Sequence, residues 1–349
     1  MGFGRLRRVC RWWCPTVRLG CGGRLVTAEL LSRGKDVIAS GRDPDKLAAL
    51  DSIGTPGSVA THTAAVDDAE SLRALADTAD VIINCAGPFA VTGMPVARAA
   101  AEAGCHYIDH SVEVHPVRQL YDTLAETAQR AGITMIPSLS FYGGLGDLLA
   151  GAVARGVADI DRITVAYAVT NWKMTTGAVN TARLLFADTE RVGFENGELR
   201  IGFVEPRNAV FAFPPPVGPR TVIAPVPFPE AFTVPRHTSV RSVEAQLTAR
   251  TFEEEQAFAS EHLDSADRAD SEFTIAAQVL GASGSASGTL RGRDLWRAGA
   301  LASVEAAVRV TGGAVKSGVV SPGEAFDAPE FLGALADRDA FTVDLPTGS

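Results

Sequence analysis

Acidic and phenolic side chains that could transfer protons occur in two short segments of this sequence. Asp109 and Glu113 follow the run Cys105-His106-Tyr107-Ile108, and Tyr142 closes the run Ser140-Phe141-Tyr142. Carboxyl and phenol groups are common general acids and bases. We therefore take Asp109, Glu113 and Tyr142 as candidate catalytic residues, with Tyr142 as the candidate proton donor. The alternative for Tyr142 is an aromatic side chain that packs where two domains meet.

The histidines beside Asp109 do not have the spacing of a metal site. On a strand His106 and His110 would share a face, but the chain turns at Asp109, and no H-x-x-x-H helix or cysteine pair completes a coordination shell. We therefore predict no metal ion. Only two of the five cysteines lie beyond residue 24, which is too few for a disulfide framework.

The candidate residues are positioned by a regular alternation of strands and helices in the first 140 residues. Segments with helical periodicity separate short apolar segments typical of strands, at residues 36–42, 59–66, 79–87, 106–109 and 133–137. This alternation predicts an α/β fold with a doubly wound parallel sheet of Rossmann type and right-handed crossovers. Ligands of such sheets bind beyond the carboxyl ends of the strands.

The second predicted strand ends in Ser40-Gly41-Arg42. Sheets of this kind that prefer NAD usually place Asp or Glu here to bind the ribose hydroxyls, whereas a guanidinium suits a 2′-phosphate. We therefore predict NADP as the cofactor, contacted by Ser40 and Arg42, with NAD as the less favoured choice. The alternative for Arg42 is a solvated side chain at a helix start. Asp67 is a candidate for an adenine contact or for a helix cap.

The run Asn84-Cys85-Ala86-Gly87-Pro88 ends another predicted strand at the same edge of the sheet. We expect Asn84, Ala86, Gly87 and Pro88 to form a wall under the nicotinamide ribose. Gly87 would permit a close approach of the backbone, since it has no Cβ atom.

The chain resembles the saccharopine-dehydrogenase-like NADP-binding oxidoreductases, a group that includes the trans-acting enoyl reductases of lipid synthesis. The resemblance extends from about Gly23 onward and is carried by NCAGPFAVTGMPVARAAAEAGCHYIDHSVE, MIPSLSFYGGLGDLLA, TTGAVNTA, SGTLRGRDLWRAGALASVEAAVRV and GVVSPGEAFD. It implies a Rossmann domain followed by a mixed α/β domain with an antiparallel sheet. It also implies hydride transfer to or from a carbonyl, imine or enoyl group. One departure is Ser140-Phe141-Tyr142, where the family usually shows Gly-Phe-Asp.

The start of the chain departs further from that family, which begins with a β-branched strand and a glycine-rich turn that holds the pyrophosphate. Only Gly20, Gly22 and Gly23 remain as candidates for this contact. We hypothesise a one-base frame slip in the gene, because Trp12-Trp13-Cys14 read one base earlier encodes Val-Val. The alternative is that residues 9–19 still form a poor strand before a shortened turn. A slipped gene favours a catalytically weak or inactive dinucleotide-binding relative as the second functional class.

Four parts of the chain are predicted from these patterns. Residues 1–22 are an aberrant leader, residues 23–140 the NADP-binding domain, residues 141–290 a mixed α/β substrate domain with a mostly antiparallel sheet, and residues 291–349 C-terminal helices that could pack back on the first domain. Residues 213–235 hold eight of the 19 prolines, which predicts an extended loop.

The composition limits the class of partner. A net charge of −9 and a pI near 5.2 argue against nucleic acid, because phosphate binding needs a concentrated basic surface. No apolar run reaches the ~20 residues that span a bilayer. We expect a cytoplasmic enzyme of a small-molecule or lipid-like substrate, and a homodimer is left open.

Overall fold

The computed structural model of the protein describes residues 9–12, 21–48, 59–187, 191–202, 204–253, 264–313 and 315–346. The strands are β1 (Val9–Trp12), β2 (Val37–Gly41), β3 (Val59–Thr63), β4 (Val81–Asn84), β5 (His106–Asp109), β6 (Thr134–Ile136), β7 (Ile160–Thr170), β8 (Arg191–Glu195), β9 (Glu198–Gly202), β10 (Arg207–Ala212), β11 (Pro219–Ala224), β12 (Val240–Thr248), β13 (Glu272–Gly281), β14 (Gly284–Arg293), β15 (Gly318–Val319) and β16 (Thr342–Asp344). The helices are α1 (Cys21–Ser32), α2 (Pro44–Ala48), α3 (Ala69–Ala76), α4 (Phe89–Ala103), α5 (Val114–Ala131), α6 (Gly146–Ala154), α7 (Thr176–Ala187), α8 (Glu230–Thr233), α9 (Arg250–Glu253), α10 (Ser265–Ala269), α11 (Leu295–Thr311), α12 (Pro322–Ala325) and α13 (Ala328–Ala336).

A seven-stranded parallel sheet has the order β3-β2-β1-β4-β5-β6-β15. Its first six strands follow the doubly wound order that places ligands at the point where the strand order reverses, between β1 and β4. The sequence left open whether residues 9–19 form a strand. Residues Val9–Trp12 do form one, and its register places Arg11 opposite Ala39 of β2 and Ile83 of β4. Residues 13–20, with Gly20 among them, lie outside the described part.

Helices cover both faces of this sheet. Successive residues of β4 pack into the hydrophobic cores on opposite faces of the sheet. Val81 and Ile83 pack with the residues of α1 and α11, whereas Ile82 packs with those of α3, α4 and α5. Such two-sided burial is typical of parallel strands. Arg33, directly after α1, forms an ion pair with Glu305 of α11 at an N–O distance of 2.6 Å, which connects the two helices that cover the first face.

The second sheet has nine strands in the order β10-β11-β12-β7-β13-β14-β16, with β8 paired to β12 and β9 to β8. Its pairs are antiparallel except for β7 with β12. Helix α6 packs against β13 and β14. The predicted fold class, a doubly wound parallel sheet followed by a mixed and mostly antiparallel one, is confirmed.

The C-terminal part of the chain returns to the parallel sheet. After β14, helix α11 contacts β4 and β5, and β15 pairs with the edge strand β6. The strand β16 then pairs with β14 of the second sheet. The boundaries predicted for the four parts of the chain stay a prediction.

The prediction of an extended loop over residues 213–235 is wrong in part. This stretch contains the strand β11 and the short helix α8. Pro219 is the first residue of β11, a position at which the missing N–H of proline is tolerated. Proline content therefore obscured a strand whose later residues Val222 and Ala224 are fully buried.

Candidate active site

Several predicted site residues meet at the carboxyl edge of the parallel sheet. Asn84 and Asp109 end neighbouring strands and lie directly opposite each other in the register of β4 and β5. Both side chains are buried, at 0% and 1% exposure. The loop after β6 contacts Asp109, because the backbone N–H of Ser138 donates a hydrogen bond to Asp109 Oδ1 at 2.7 Å.

Asp109 is surrounded by hydrogen-bond donors. Its Oδ1 also accepts from the backbone N–H of Ser111 (2.9 Å) and from the Ser111 hydroxyl (2.5 Å), and its Oδ2 accepts from the Tyr107 hydroxyl (2.9 Å). Burial raises the pKa of Asp109, although the hydrogen bonds from Ser111, Ser138 and Tyr107 oppose the shift. This carboxyl group thus ties together the loops that follow β5 and β6.

Asn84 shapes the turn that follows β4. Its Oδ1 accepts from the backbone N–H of Ala86 at 3.0 Å, and its Nδ2 donates to the Tyr107 hydroxyl at 3.3 Å. The Thr92 hydroxyl donates to the carbonyl oxygen of Ala86 from the first turns of α4. The turn is therefore held from both ends by buried side chains.

Glu113 caps a helix that begins elsewhere in the chain. Its Oε1 accepts from the backbone N–H of Phe89 at 2.8 Å, at the start of α4, where the capping residue Pro88 supplies no side-chain hydrogen bond. Burial raises the pKa of Glu113, and the backbone hydrogen bonds, led by that from Phe89, oppose the shift. A carboxylate at a helix N-terminus is stabilised by the free N–H groups there.

Gly87 brings this turn against the second half of the chain. A Cβ atom at residue 87 would lie 2.7 Å from the Thr181 hydroxyl oxygen of α7. Real Cβ atoms do not approach another atom that closely, so a larger residue at position 87 would require a shift of the Thr181 side chain or of the backbone. The segment TTGAVNTA thus lies next to the segment NCAGPF at the carboxyl edge of the sheet.

The residues predicted to contact the adenosine end of the cofactor, Ser40, Arg42 and Asp67, differ in their surroundings. Arg42 is exposed directly after β2, and the Ser40 hydroxyl oxygen is buried without a hydrogen-bond partner among the described residues. Asp67 is exposed, and its neighbour Asp68 caps α3 by accepting from the backbone N–H groups of Glu70 and Ser71. The sequence left two roles open for Asp67, an adenine contact and the cap of α3. The cap is Asp68 instead.

Gly22 and Gly23 lie in the first turn of α1 rather than in a preceding loop. A Cβ atom at residue 22 would lie 3.8 Å from His110 Nδ1, in the described part of the chain. The first turn of α1 therefore lies next to the loop that follows β5. A helix start and an exposed guanidinium at this edge of the sheet are groups that suit a phosphate-bearing dinucleotide. The described residues therefore fit a nicotinamide dinucleotide.

Tyr142 lies in an irregular turn, Phe141–Leu145, within a cluster of aromatic rings. Its ring centroid is 4.9 Å from that of Phe228, 5.0 Å from that of Tyr167 and 5.9 Å from that of Trp172. Burial raises the pKa of Tyr142 strongly, so the phenol keeps its proton. The ring packs at the junction of the two sheets, while the hydroxyl is buried without a hydrogen-bond partner in the described part of the chain.

Sequence reasoning missed a second buried polar cluster behind this turn. The Tyr167 hydroxyl donates to Glu230 Oε1 and accepts from the backbone N–H of Gly143. Glu230 is fully buried, and burial raises its pKa to about 7. The pairing was hidden because Glu230 lies in the proline-rich stretch, 63 residues from Tyr167.

Asp147, at the start of α6, belongs to the same region. Its Oδ1 lies 3.0 Å from His237 Nε2, and its Oδ2 accepts from the backbone N–H of Gly323 at 2.7 Å. Burial lowers the pKa of His237, but the Asp147 carboxylate outweighs burial and the net shift is upward. The pair fastens the start of α6 to α12 and to the segment before β12.

The part of the chain that the structure describes contains neither a group of side chains that could hold a metal ion nor a helix that could span a membrane. No three His, Cys, Asp or Glu side chains there are grouped to hold a metal ion. No helix there has the length and hydropathy needed to cross a bilayer.

Comparison with known proteins identifies the dinucleotide-binding part of the chain. Residues 17–136 match the family model of the saccharopine dehydrogenase NADP binding domain. This part of the chain is a saccharopine dehydrogenase-like domain. It includes Arg42, the turn after β4, Asp109 and Glu113. The saccharopine dehydrogenase-like family predicted from the sequence is thereby confirmed for the dinucleotide-binding part of the chain, residues 17–136.

A curated relative of this saccharopine dehydrogenase-like domain comes from Arabidopsis thaliana. It is described as a probable mitochondrial saccharopine dehydrogenase-like oxidoreductase and is 33% identical over 112 residues, which are 31% of this chain and 25% of the relative. The chain thus spans about a quarter of that relative's length.

A solved structure resembles the fold of the whole chain. It is the apo saccharopine dehydrogenase (L-Glu forming) of Saccharomyces cerevisiae, with a TM-score of 0.63 and 12% identity over 96% of this chain and 99% of that one. At this identity the likeness concerns the fold alone.

Proposed function

We propose that this protein is an NADP-dependent oxidoreductase that transfers a hydride to or from a carbonyl, imine or enoyl group. The observation that carries the proposal is the close approach of Gly87 to Thr181 at the carboxyl edge of a saccharopine dehydrogenase-like domain. It brings the turn expected under the nicotinamide against a helix of the second sheet, so a substrate bound between them would reach the cofactor.

The residues at the sheet edge would bind and orient the cofactor. Arg42 would pair with the 2′-phosphate, the first turn of α1 with Gly22 and Gly23 would receive the pyrophosphate, and the turn from Asn84 to Pro88 would support the nicotinamide ribose. When bound, the nicotinamide supplies the hydride chemistry. The preference for NADP over NAD rests on Arg42 and on the absence of an acid at the end of β2.

Tyr142 would hold the proton that the reaction needs. Reduction of a carbonyl adds a hydride to the carbon and a proton to the oxygen. The phenol, which burial keeps protonated until then, would give its proton to the strongly basic alkoxide that hydride addition forms and would regain one from solvent. The catalytic roles predicted for Asp109 and Glu113 stay predictions. Because their oxygens accept backbone hydrogen bonds, we favour a positioning role for both, through the loops after β5 and β6 and through the start of α4.

A weak or inactive dinucleotide-binding relative is the second candidate. The observation that favours it is the sequence between β1 and α1, Trp13-Cys-Pro-Thr-Val-Arg-Leu-Gly20, which contains a single glycine where the fingerprint has more. A small-molecule or lipid-like substrate, a cytoplasmic location and a homodimer also belong to the proposal rather than to the findings.

Titration of the purified full chain with NADPH and with NADH, followed by nicotinamide fluorescence, tests the cofactor assignment. Arg42→Ala is expected to weaken NADPH binding about tenfold, the loss of one charge-assisted contact, and to leave NADH binding unchanged. Arg130→Ala, an exposed arginine in the last turn of α5, is the matched control and should change neither. No binding of NADPH at millimolar concentration would contradict the proposal, whereas binding without turnover of any carbonyl or enoyl compound would favour the second candidate.

A further inference from the structure

Two hydrogen-bond donors of the aromatic cluster have no partner among the residues that the structure describes. The hydroxyl of Tyr142 and the indole Nε1 of Trp172 are buried, and neither meets an acceptor within the described residues. Their rings contact each other edge to face, with centroids 5.9 Å apart. Comparable donors nearby are satisfied, since the Tyr167 hydroxyl donates to Glu230 and Trp296 Nε1 donates to the carbonyl oxygen of Lys173 at 3.3 Å.

Burial of these two donors without an acceptor is energetically unfavourable. A buried donor without an acceptor costs about 1–3 kcal/mol, and native proteins contain few of them. Phenylalanine at position 142 would keep the packing of the ring without that cost. Two unsatisfied donors on contacting rings therefore point to an acceptor that arrives with a ligand.

The position of the pair agrees with a substrate site. Trp172 follows the end of β7 and leads into α7, the helix whose Thr181 meets Gly87. Tyr142 lies in the turn that follows β6, whose Ser138 is bound to Asp109. Both donors thus come from segments that connect directly to the carboxyl edge of the parallel sheet.

The surroundings of the pair determine what kind of acceptor fits. The rings packed against Tyr142 include those of Phe141 and Phe228, each 3% exposed, and that of Tyr167, whose hydroxyl is already bound to Glu230. The cation that follows Trp172 in the chain, Lys173, is bound to Asp267. Two neutral donors in an apolar setting match a neutral oxygen, because a carboxylate would need a cation to offset its desolvation.

We propose that Tyr142 and Trp172 together bind the oxygen of a neutral carbonyl group on a substrate with an apolar body. This inference rests on the proposed function, since it names the substrate class of the same site. A ketone, aldehyde or enone attached to an aromatic or hydrocarbon chain fits, and an amino-acid substrate with several charges does not. Trp172 is thereby a substrate-binding residue that sequence analysis did not single out.

A pair of probes that differ by one oxygen tests this proposal. 4-Phenyl-2-butanone has the carbon skeleton of n-butylbenzene plus a carbonyl oxygen, so the change in the ratio of their dissociation constants between the wild-type chain and a variant isolates the contribution of the donor that is removed. Ligand-observed NMR titrations of the full chain with NADP+ present, which cannot reduce the ketone, should give about tenfold tighter binding of the ketone, as expected for two neutral hydrogen bonds. Tyr142→Phe and Trp172→Phe should each reduce this ratio severalfold and leave the affinity for n-butylbenzene unchanged.

Two controls keep the outcomes distinct. Tyr121→Phe removes the hydroxyl of another buried tyrosine, whose ring packs against Phe232 and Arg236, and should leave the ratio unchanged. Titration of the same samples with NADPH alone separates the two proposals. Normal NADPH binding with equal affinities for the two probes, or with no ketone binding at millimolar concentration, would overturn this inference alone, whereas failure of the wild-type chain to bind NADPH would overturn the proposed function.

Discussion

Gly87, in the turn after β4, approaches Thr181 of α7 so closely that a Cβ atom at residue 87 would lie 2.7 Å from the threonine hydroxyl oxygen. Residues 94 positions apart in the chain thus form the contact between the dinucleotide-binding sheet and the helix that follows β7. A methyl group added at residue 87 would require a shift on one side of the contact, so the contact can be tested by substitution of either residue.

Gly87→Ala should force the turn and α7 apart. We expect a loss of about 1–3 kcal/mol in the free energy of unfolding, the usual cost of overpacking, together with weaker NADPH binding. Urea denaturation and NADPH titration measure the two effects. Thr181→Ala in the same chain removes the clashing hydroxyl and should restore much of both, and a double variant no better than Gly87→Ala would contradict the proposed contact.

Substitutions at Asp109 should distinguish a positioning role from proton transfer. Asp109→Ala leaves the N–H groups of Ser111 and Ser138 and the hydroxyl of Tyr107 without their acceptor, so we expect about 3 kcal/mol of destabilisation or more. Asp109→Asn keeps an acceptor at Oδ1 and should cost less, while NADPH binding and the pH profile of turnover stay close to wild type. Complete loss of turnover in a stable Asp109→Asn variant would show instead that the carboxyl group itself transfers a proton.

Much of the parallel sheet could be predicted because its signals are local. The runs VIASG and VIIN are apolar, short and bounded by turn residues, and they became β2 and β4 as expected. The polar residues that end these strands could be assigned to one edge of the sheet, because the carboxyl ends of parallel strands lie at the same edge. Residues 9–12 were ambiguous because Val-Cys-Arg-Trp lacks the β-branched pattern of a central strand, so its place depends on pairing with β2 and β4.

The rest of the site depends on contacts between distant segments, which periodicity does not reveal. Glu113 could be recognised as a polar group at a strand end, but its hydrogen bond to Phe89 depends on how α4 enters the turn. Glu230 lies among prolines and apolar residues, and nothing in that stretch indicates the Tyr167 hydroxyl as its partner. The choice of Asp68 over Asp67 as the cap of α3 is likewise a one-residue detail of backbone geometry.

The buried carboxyl group of Glu230 should make stability depend on pH. Its pKa is raised from 4.5 to about 7, so between these values the folded chain holds a proton that the unfolded chain has lost. The associated stabilisation is complete below pH 4.5 and is lost as the pH rises through 7, and it amounts to roughly 3 kcal/mol at about 1.36 kcal/mol per pKa unit.

Glu230→Gln removes this titration. Urea unfolding at a series of pH values between 5 and 8 should show a decline of stability for the wild-type chain that is largely absent in the variant. Glu205→Gln, at an exposed glutamate, serves as the control and should keep the wild-type slope. Parallel slopes for the wild-type chain and Glu230→Gln would refute the assignment.

The first strand offers a test of the unusual start of the chain. The register places position 11 between Ala39 and Ile83, and central parallel strands are buried on both faces. Arg11→Val should therefore raise the free energy of unfolding, by about 1 kcal/mol or more, because an apolar β-branched residue suits such a position better than a cation. Arg241→Val, at an exposed position of β12, should change it little. An unchanged or lower stability for Arg11→Val would argue against residues 9–12 as the central strand.

The central claim is that a phosphate-bearing dinucleotide lies across the carboxyl edge of the parallel sheet, between Arg42 and the turn at Gly87. A crystal structure of the full chain soaked with NADP tests it most directly. We predict density for the 2′-phosphate within ion-pair distance of the Arg42 guanidinium and for the nicotinamide ribose against residues 84–88. Density for the dinucleotide elsewhere, or a 2′-phosphate that points away from Arg42, would contradict the account.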